Sequence, residues 1–112
     1  GCVYTRPEIA AVGLTEGEAK EQGIPVKTVK ALMGGNARTV ILDGDRSFLK
    51  LVADADSGRL LGAQLMCERA TDLIAELGTA IANGLTAEQL LAAMRPHPTF
   101  TEALSAALTA LR

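Results

Sequence analysis

One short stretch near the C-terminal end holds the residues best suited to chemistry: Arg95-Pro96-His97-Pro98-Thr99-Phe100-Thr101-Glu102-Ala103-Leu104. His97 is the single histidine among 112 residues, and Glu102 follows five positions later. An unperturbed imidazole titrates at about pH 6.5, so it can take and return a proton near neutrality. A carboxylate beside it can fix the tautomer and balance the charge of the protonated ring. Prolines on both sides stiffen the backbone that would aim the ring. The same letters also read as plain architecture. Thr99-x-x-Glu102 has the spacing of a capping box, in which the glutamate bonds back to the threonine N–H. Spacing alone leaves both readings open, and the turn-and-cap reading is the simpler.

A pair of this kind needs a scaffold, and the chain supplies one in two parts. The first half is extended. Cys2 to Thr5 is short and β-prone, Arg6-Pro7 holds the backbone extended, and Glu8 to Leu14 forms a second extended piece. Thr15-Glu16-Gly17-Glu18 is a capping box opening a short helix that ends near Gly23, with Pro25 beyond. Val26 to Met33 reads as a strand broken by Gly34-Gly35-Asn36. Residues 37 to 42 are ambiguous, and Asp43-Gly44-Asp45 reads as a turn. Phe48 to Ala53 and Leu60 to Cys67 flank Asp54 to Arg59, the pattern of an antiparallel hairpin.

The last third is helical. Ala70, Leu73, Ile74, Leu77 and Ile81 share one helix face, closed by Asn83-Gly84. Thr86 to Gln89 is a second capping box, starting a short helix that runs to about Met94. Pro96 and Pro98 interrupt it, and Thr99 to Glu102 is a third box opening a helix through Leu104, Ala107, Leu108 and Leu111. Strands first and helices last predict an α+β fold with a largely antiparallel sheet and helices packed on it. One domain over residues 1–112 is expected.

Composition narrows the function. With 48% apolar and 21% charged residues the chain should fold, around a core of Leu, Ala, Val and Ile because aromatics are only 3%. A net charge of −2 gives no basic footprint for nucleic acid or an anionic membrane. No apolar run approaches the ~18 residues of a membrane span. Cys2 and Cys67 form no C-x-x-C pair, so no metal site is expected, and two buried free thiols in a cytoplasmic protein are the simplest reading. There is no G-x-G-x-x-G, no phosphate-binding loop and no nucleophile elbow. Ser105 reads as a helix-surface residue, which leaves a small hydrolase built on His97 without a nucleophile.

Two end motifs carry a resemblance. His97-Pro98-Thr99-x-x-Glu102 resembles the C-terminal signature of the pyridine nucleotide–disulfide oxidoreductases. Tyr4-Thr5-x-Pro7-Glu8-Ile9-Ala10-x-Val12-Gly13-Leu14-Thr15-Glu16 resembles the opening of their interface, or dimerisation, domain. Phe48 to Val52 and Leu60 to Ala63 are similar to the central hairpin, so the likeness covers essentially the whole chain. Within the family it lies nearest the dihydrolipoamide dehydrogenases. Glu102 precedes Ala103, where glutathione and trypanothione reductases typically carry a second Glu, and mercuric reductases lack the histidine.

The resemblance implies a fold of the FAD- and NAD-linked reductase dimerisation type. It implies a homodimer in which His97, held by Glu102, works as acid/base on a dihydrolipoyl thiol at the partner subunit's disulfide. Pro98 would follow a cis peptide, with the His97-Pro98 backbone near the partner's FAD. The parts that bind FAD and NAD, and the redox disulfide, have no counterpart here. The chain, which begins at Gly1, is therefore expected to be part of a longer flavoenzyme, with no bound cofactor and no activity alone. Two alternatives remain: a stand-alone, non-catalytic dimerisation or binding module of the same fold, and the same domain from a glutathione reductase-like enzyme.

Overall fold

The computed structural model describes residues 1–41 and 47–112; the expected turn at Asp43-Gly44-Asp45 lies outside them. The elements follow in the order β1 (Cys2–Val3), β2 (Glu8–Gly13), α1 (Glu16–Glu21), β3 (Val26–Leu32), a 3₁₀ turn (Met33–Gly35), α2 (Ala37–Ile41), β4 (Phe48–Asp54), β5 (Leu60–Cys67), α3 (Ala70–Ala82), α4 (Ala87–Leu91) and α5 (Glu102–Leu111). The strands form one sheet in the order β1-β2-β5-β4-β3, and every pairing is antiparallel. The α+β expectation holds.

The expected hairpin forms the centre of the sheet. Asp54 ends β4 and its carboxylate accepts from the Asp56 and Ser57 N–H groups at 2.8 and 2.9 Å. Gly58 then takes a positive φ of 76°, which suits a residue without Cβ. Register puts Ala10, Leu65, Leu49 and Ala31 in one cross-strand row, and Val12, Ala63, Leu51 and Val29 in the next. This is the face on which the helices lie: α3 packs on β2 and β5, and α5 on β3 and β4. Leu49, Leu51, Ala63, Leu77, Leu104 and Leu108 are fully buried between them.

The opposite face is only partly covered. Lys50 on that face reaches Glu16 at the start of α1, with 2.9 Å between Nζ and Oε2. Close approach there requires glycine: a Cβ on Gly62 would stand 1.7 Å from the Leu14 carbonyl oxygen. Beyond α1, Val3, Ile9, Met66, Phe48 and Leu32 form a row across all five strands, and Val3, Ile9 and Leu32 are exposed.

Helix termini follow the sequence in two cases of three. The Thr86 hydroxyl accepts from the Gln89 N–H while the Gln89 side chain accepts from the Thr86 N–H, a complete capping box. Thr15 caps α1 by accepting from the Glu18 N–H. The third box is a correction. Helix α5 begins at Glu102, not after Thr99, and its N-cap Thr101 makes no side-chain cap bond. Glu102 does accept from the Thr99 N–H at 2.8 Å, but the Thr99 hydroxyl donates to the Pro96 carbonyl instead. The short helix after Thr86 stops at Leu91 rather than Met94. The ambiguous residues 37–41 are helical. The start of α3 holds a feature the sequence conceals: Arg69 is left-handed and gives no cap. Glu8, 63 residues away, accepts from both the N–H and the hydroxyl of Thr71. Cys2 is also a correction. It is exposed on the edge strand β1, while Cys67 is buried in the core as expected, and both are free thiols.

Candidate functional site

The loop from Pro96 to Thr101 joins the last two helices and is fastened at both ends. At its start, the Arg95 side chain is almost fully buried and ion-paired with Glu76 of α3. It also donates to the Leu90 carbonyl at 3.3 Å and to the Ser105 hydroxyl at 3.1 Å. Ser105 is thereby an acceptor for a buried guanidinium, which gives it a structural task. At the other end Phe100 inserts into the core.

Between these anchors Pro96, His97 and Pro98 are exposed, and the His97–Pro98 peptide is cis. The structure brings His97 and Glu102 together. Nδ1 lies 3.0 Å from Oε1 and 2.9 Å from Oε2 of the carboxylate. Of the capping-box reading one bond remains: Oε1 also accepts from the Thr99 N–H. The His97 hydrogen bond first, and the Thr99 N–H second, hold the Glu102 carboxyl below the usual glutamate range. It is therefore ionised at neutral pH and can only accept. In the neutral ring the proton must then sit on Nδ1, and the lone pair on Nε2. Nε2 makes no hydrogen bond among the described residues, and the His97 side chain is 69% exposed. An outward-facing Nε2 base on a fixed ring is what this arrangement offers.

Thr99 is the hub of the loop, and a residue from the break after β3 reaches it. Asn36, buried between β3 and α2, donates from Nδ2 to the Thr99 carbonyl at 2.9 Å. Its Oδ1 accepts from the N–H and hydroxyl of Thr39, both at 3.0 Å. The Asn36-x-x-Thr39 spacing signals an N-cap; the contact across 63 residues has no local signal.

A groove of about 350 Å³ runs beside the pair, lined by Ala31, Leu32, Gly35, Ala37, Ala103 and Ala106 together with Asn36, His97 and Glu102. Among the described residues no Lys or Arg lines it to meet a pyrophosphate, and these residues do not fit FAD or NAD as a holding site. Among the described residues no cluster of His, Cys, Asp or Glu could hold a metal ion. No helix among them is long and apolar enough to cross a membrane.

Comparison with known proteins bears on the family and the fold. The profile of the pyridine nucleotide-disulphide oxidoreductase dimerisation domain matches residues 1–108. The dihydrolipoyl dehydrogenase of Geobacillus stearothermophilus is 43% identical over 110 residues, covering 97% of this chain and 23% of that enzyme. That of Mycoplasma pneumoniae is 36% identical over 104 residues, covering 93% and 23%. The chain thus spans about a quarter of the length of these curated relatives. Among solved structures, LpdA of Mycobacterium tuberculosis superposes with a TM-score of 0.94 at 25% identity, over 100% of this chain and 24% of that one. The HOCl-induced flavoprotein disulfide reductase RclA of Escherichia coli gives 0.94 at 26% identity, over 100% and 26%.

Proposed function

Because this chain belongs to the pyridine nucleotide-disulphide oxidoreductase dimerisation domain family, we propose that it is the interface domain of a longer, dihydrolipoyl dehydrogenase-type flavoenzyme. In that reading residues 1–112 form one domain that pairs two subunits. His97 and Glu102 serve as an acid/base pair at the partner subunit's disulfide, and the His97-Pro98 backbone lies near the partner's FAD. The FAD- and NAD-binding parts belong to the remainder of the polypeptide, and the enzyme works in the cytoplasm.

The observation that carries the proposal is the Nδ1–carboxylate contact at 2.9 to 3.0 Å, which leaves Nε2 as the outward base. Nε2 takes the proton of a dihydrolipoyl thiol, and the thiolate is the species able to attack a disulfide. Glu102 keeps the ring oriented and balances the imidazolium. The proton returns from Nε2 to the departing thiolate. The identity to dihydrolipoyl dehydrogenases supports this substrate class over a glutathione-type one, as does Ala103 following Glu102.

In the intact enzyme carrying this domain, His97→Ala should lower thiol oxidation by about 10²- to 10⁴-fold, the usual weight of a general acid/base. Flavin content and dimer mass should be unchanged. Turnover within a few-fold of the parent would refute the acid/base role.

A further inference from the structure

We propose that Asn36 is a positioning residue for the His97–Glu102 pair, acting through Thr99. The inference rests on reading that pair as the proton-transferring one. The Pro96–Thr101 loop makes most of its hydrogen bonds with itself and with the adjoining start of α5: Thr99 bonds to Pro96, Thr101 and Glu102, all within three residues. Bonds of that kind hold the loop's shape but not its place. Among the described residues, Asn36 makes the one side-chain hydrogen bond to residues 96–101 from a distant element. Both backbone polar groups of Thr99 are then committed, the carbonyl to Asn36 and the N–H to Glu102. The position of Glu102 relative to β3 is thereby tied to the position of the ring it orients.

Asparagine suits this task for a stated reason. The site needs an acceptor for the Thr39 N–H and hydroxyl and a donor for the Thr99 carbonyl, with planar reach between them. Serine can cap α2 but is too short to reach Thr99, and alanine does neither. Asn36 is buried and the contact partly so, and losing the donor leaves the Thr99 carbonyl short of a partner. The loop would relieve that by shifting toward water, carrying the Thr99 N–H away from Glu102.

The test compares Asn36→Ser, which keeps the helix cap, with Thr39→Val, which removes one bond to Asn36 and keeps the tether; Asn36→Ala is the second disrupting variant. The single histidine among residues 1–112 makes the readout unambiguous in this chain by NMR. In Asn36→Ser the Glu102 carboxyl midpoint should move up toward the ordinary value of 4.5, and the imidazole should lose its preference for the Nδ1-protonated tautomer. Thr39→Val should do neither. Unchanged Glu102 titration and tautomer in folded Asn36→Ser and Asn36→Ala would overturn the proposal. In the intact enzyme, Asn36→Ser should lower kcat by roughly tenfold or more with KM little changed, as misplacement of a catalytic group does. If NMR shows the pair loosened but turnover is unaffected, Asn36 still positions the pair and the acid/base reading is what fails.

Discussion

Glu102 serves a loop N–H and an imidazole with one carboxylate, and the two tasks can be separated. Glutamine there keeps an acceptor for the Thr99 N–H but loses the charge. Its amide can meet Nδ1 as donor or as acceptor, so the ring tautomer is no longer dictated. Glu102→Gln should therefore leave the fold intact and give a mixture of imidazole tautomers by ¹⁵N NMR; a ring still wholly Nδ1-protonated would contradict this. At this scale the pair itself was legible in the sequence, because His97 is unique and Glu102 has a capping spacing. Asn36 was not legible as a site residue: its local signal is a helix cap, and its link to Thr99 exists only once β3 and α5 pack side by side.

Helix α5 ties that chemistry to the core, since Glu102 opens it and Leu104, fully buried, follows within the first turn. Leu104→Ala should cost about 2–5 kcal/mol, the range for a buried leucine whose cavity relaxes only partly, measurable by urea denaturation. A loss below about 1 kcal/mol would mean that α5 is poorly anchored. Elements with strong local signals were read correctly: the β4–β5 hairpin from its Asp/Ser/Gly turn, α3 from its period, and α4 from its capping box. The misreadings arise where a local pattern is overridden, whether by a nearby carbonyl, a distant side chain or a place in the sheet. Thr99 spends its hydroxyl on Pro96 rather than on a cap, so α5 starts later than the motif suggests. The start of α3 has no local cap because Glu8 supplies it from β2. Cys2 was expected inside on the strength of its residue type, but edge position decides its exposure.

For the whole molecule, pH and thiol chemistry follow from the same contacts. Glu8, Glu16, Asp54 and Glu102 are all held below their ordinary values. The leading causes are the Thr71 N–H, the Lys50 ammonium, the Ser57 N–H and the His97 ring, respectively. Each depressed carboxyl binds fewer protons folded than unfolded. Its contribution is present above the unfolded values of 4.5 and 3.8 and is lost as pH falls through the folded ones. Denaturation midpoints should hold near neutrality and drop below about pH 4, and an acid-flat profile would contradict these four contacts. At the alkaline end, burial pushes the Cys67 thiol up to about 11 from 9.0. The unfolded chain then releases that proton first, so stability falls as pH rises from 9 toward 11. Thiol counting with a disulfide reagent at neutral pH should find one fast group, Cys2, and a second only on unfolding. Two fast groups would show that the β5 end of the core opens.

The outward Nε2 also makes the loop a single-address target for covalent labelling. With one imidazole in the chain and its Nδ1 occupied by a carboxylate, a histidine-directed acylating reagent has one ring nitrogen to attack. Imidazole modification should stop at one adduct per chain, on Nε2, and the regiochemistry of that adduct would record which ring nitrogen the fold leaves open to a substrate.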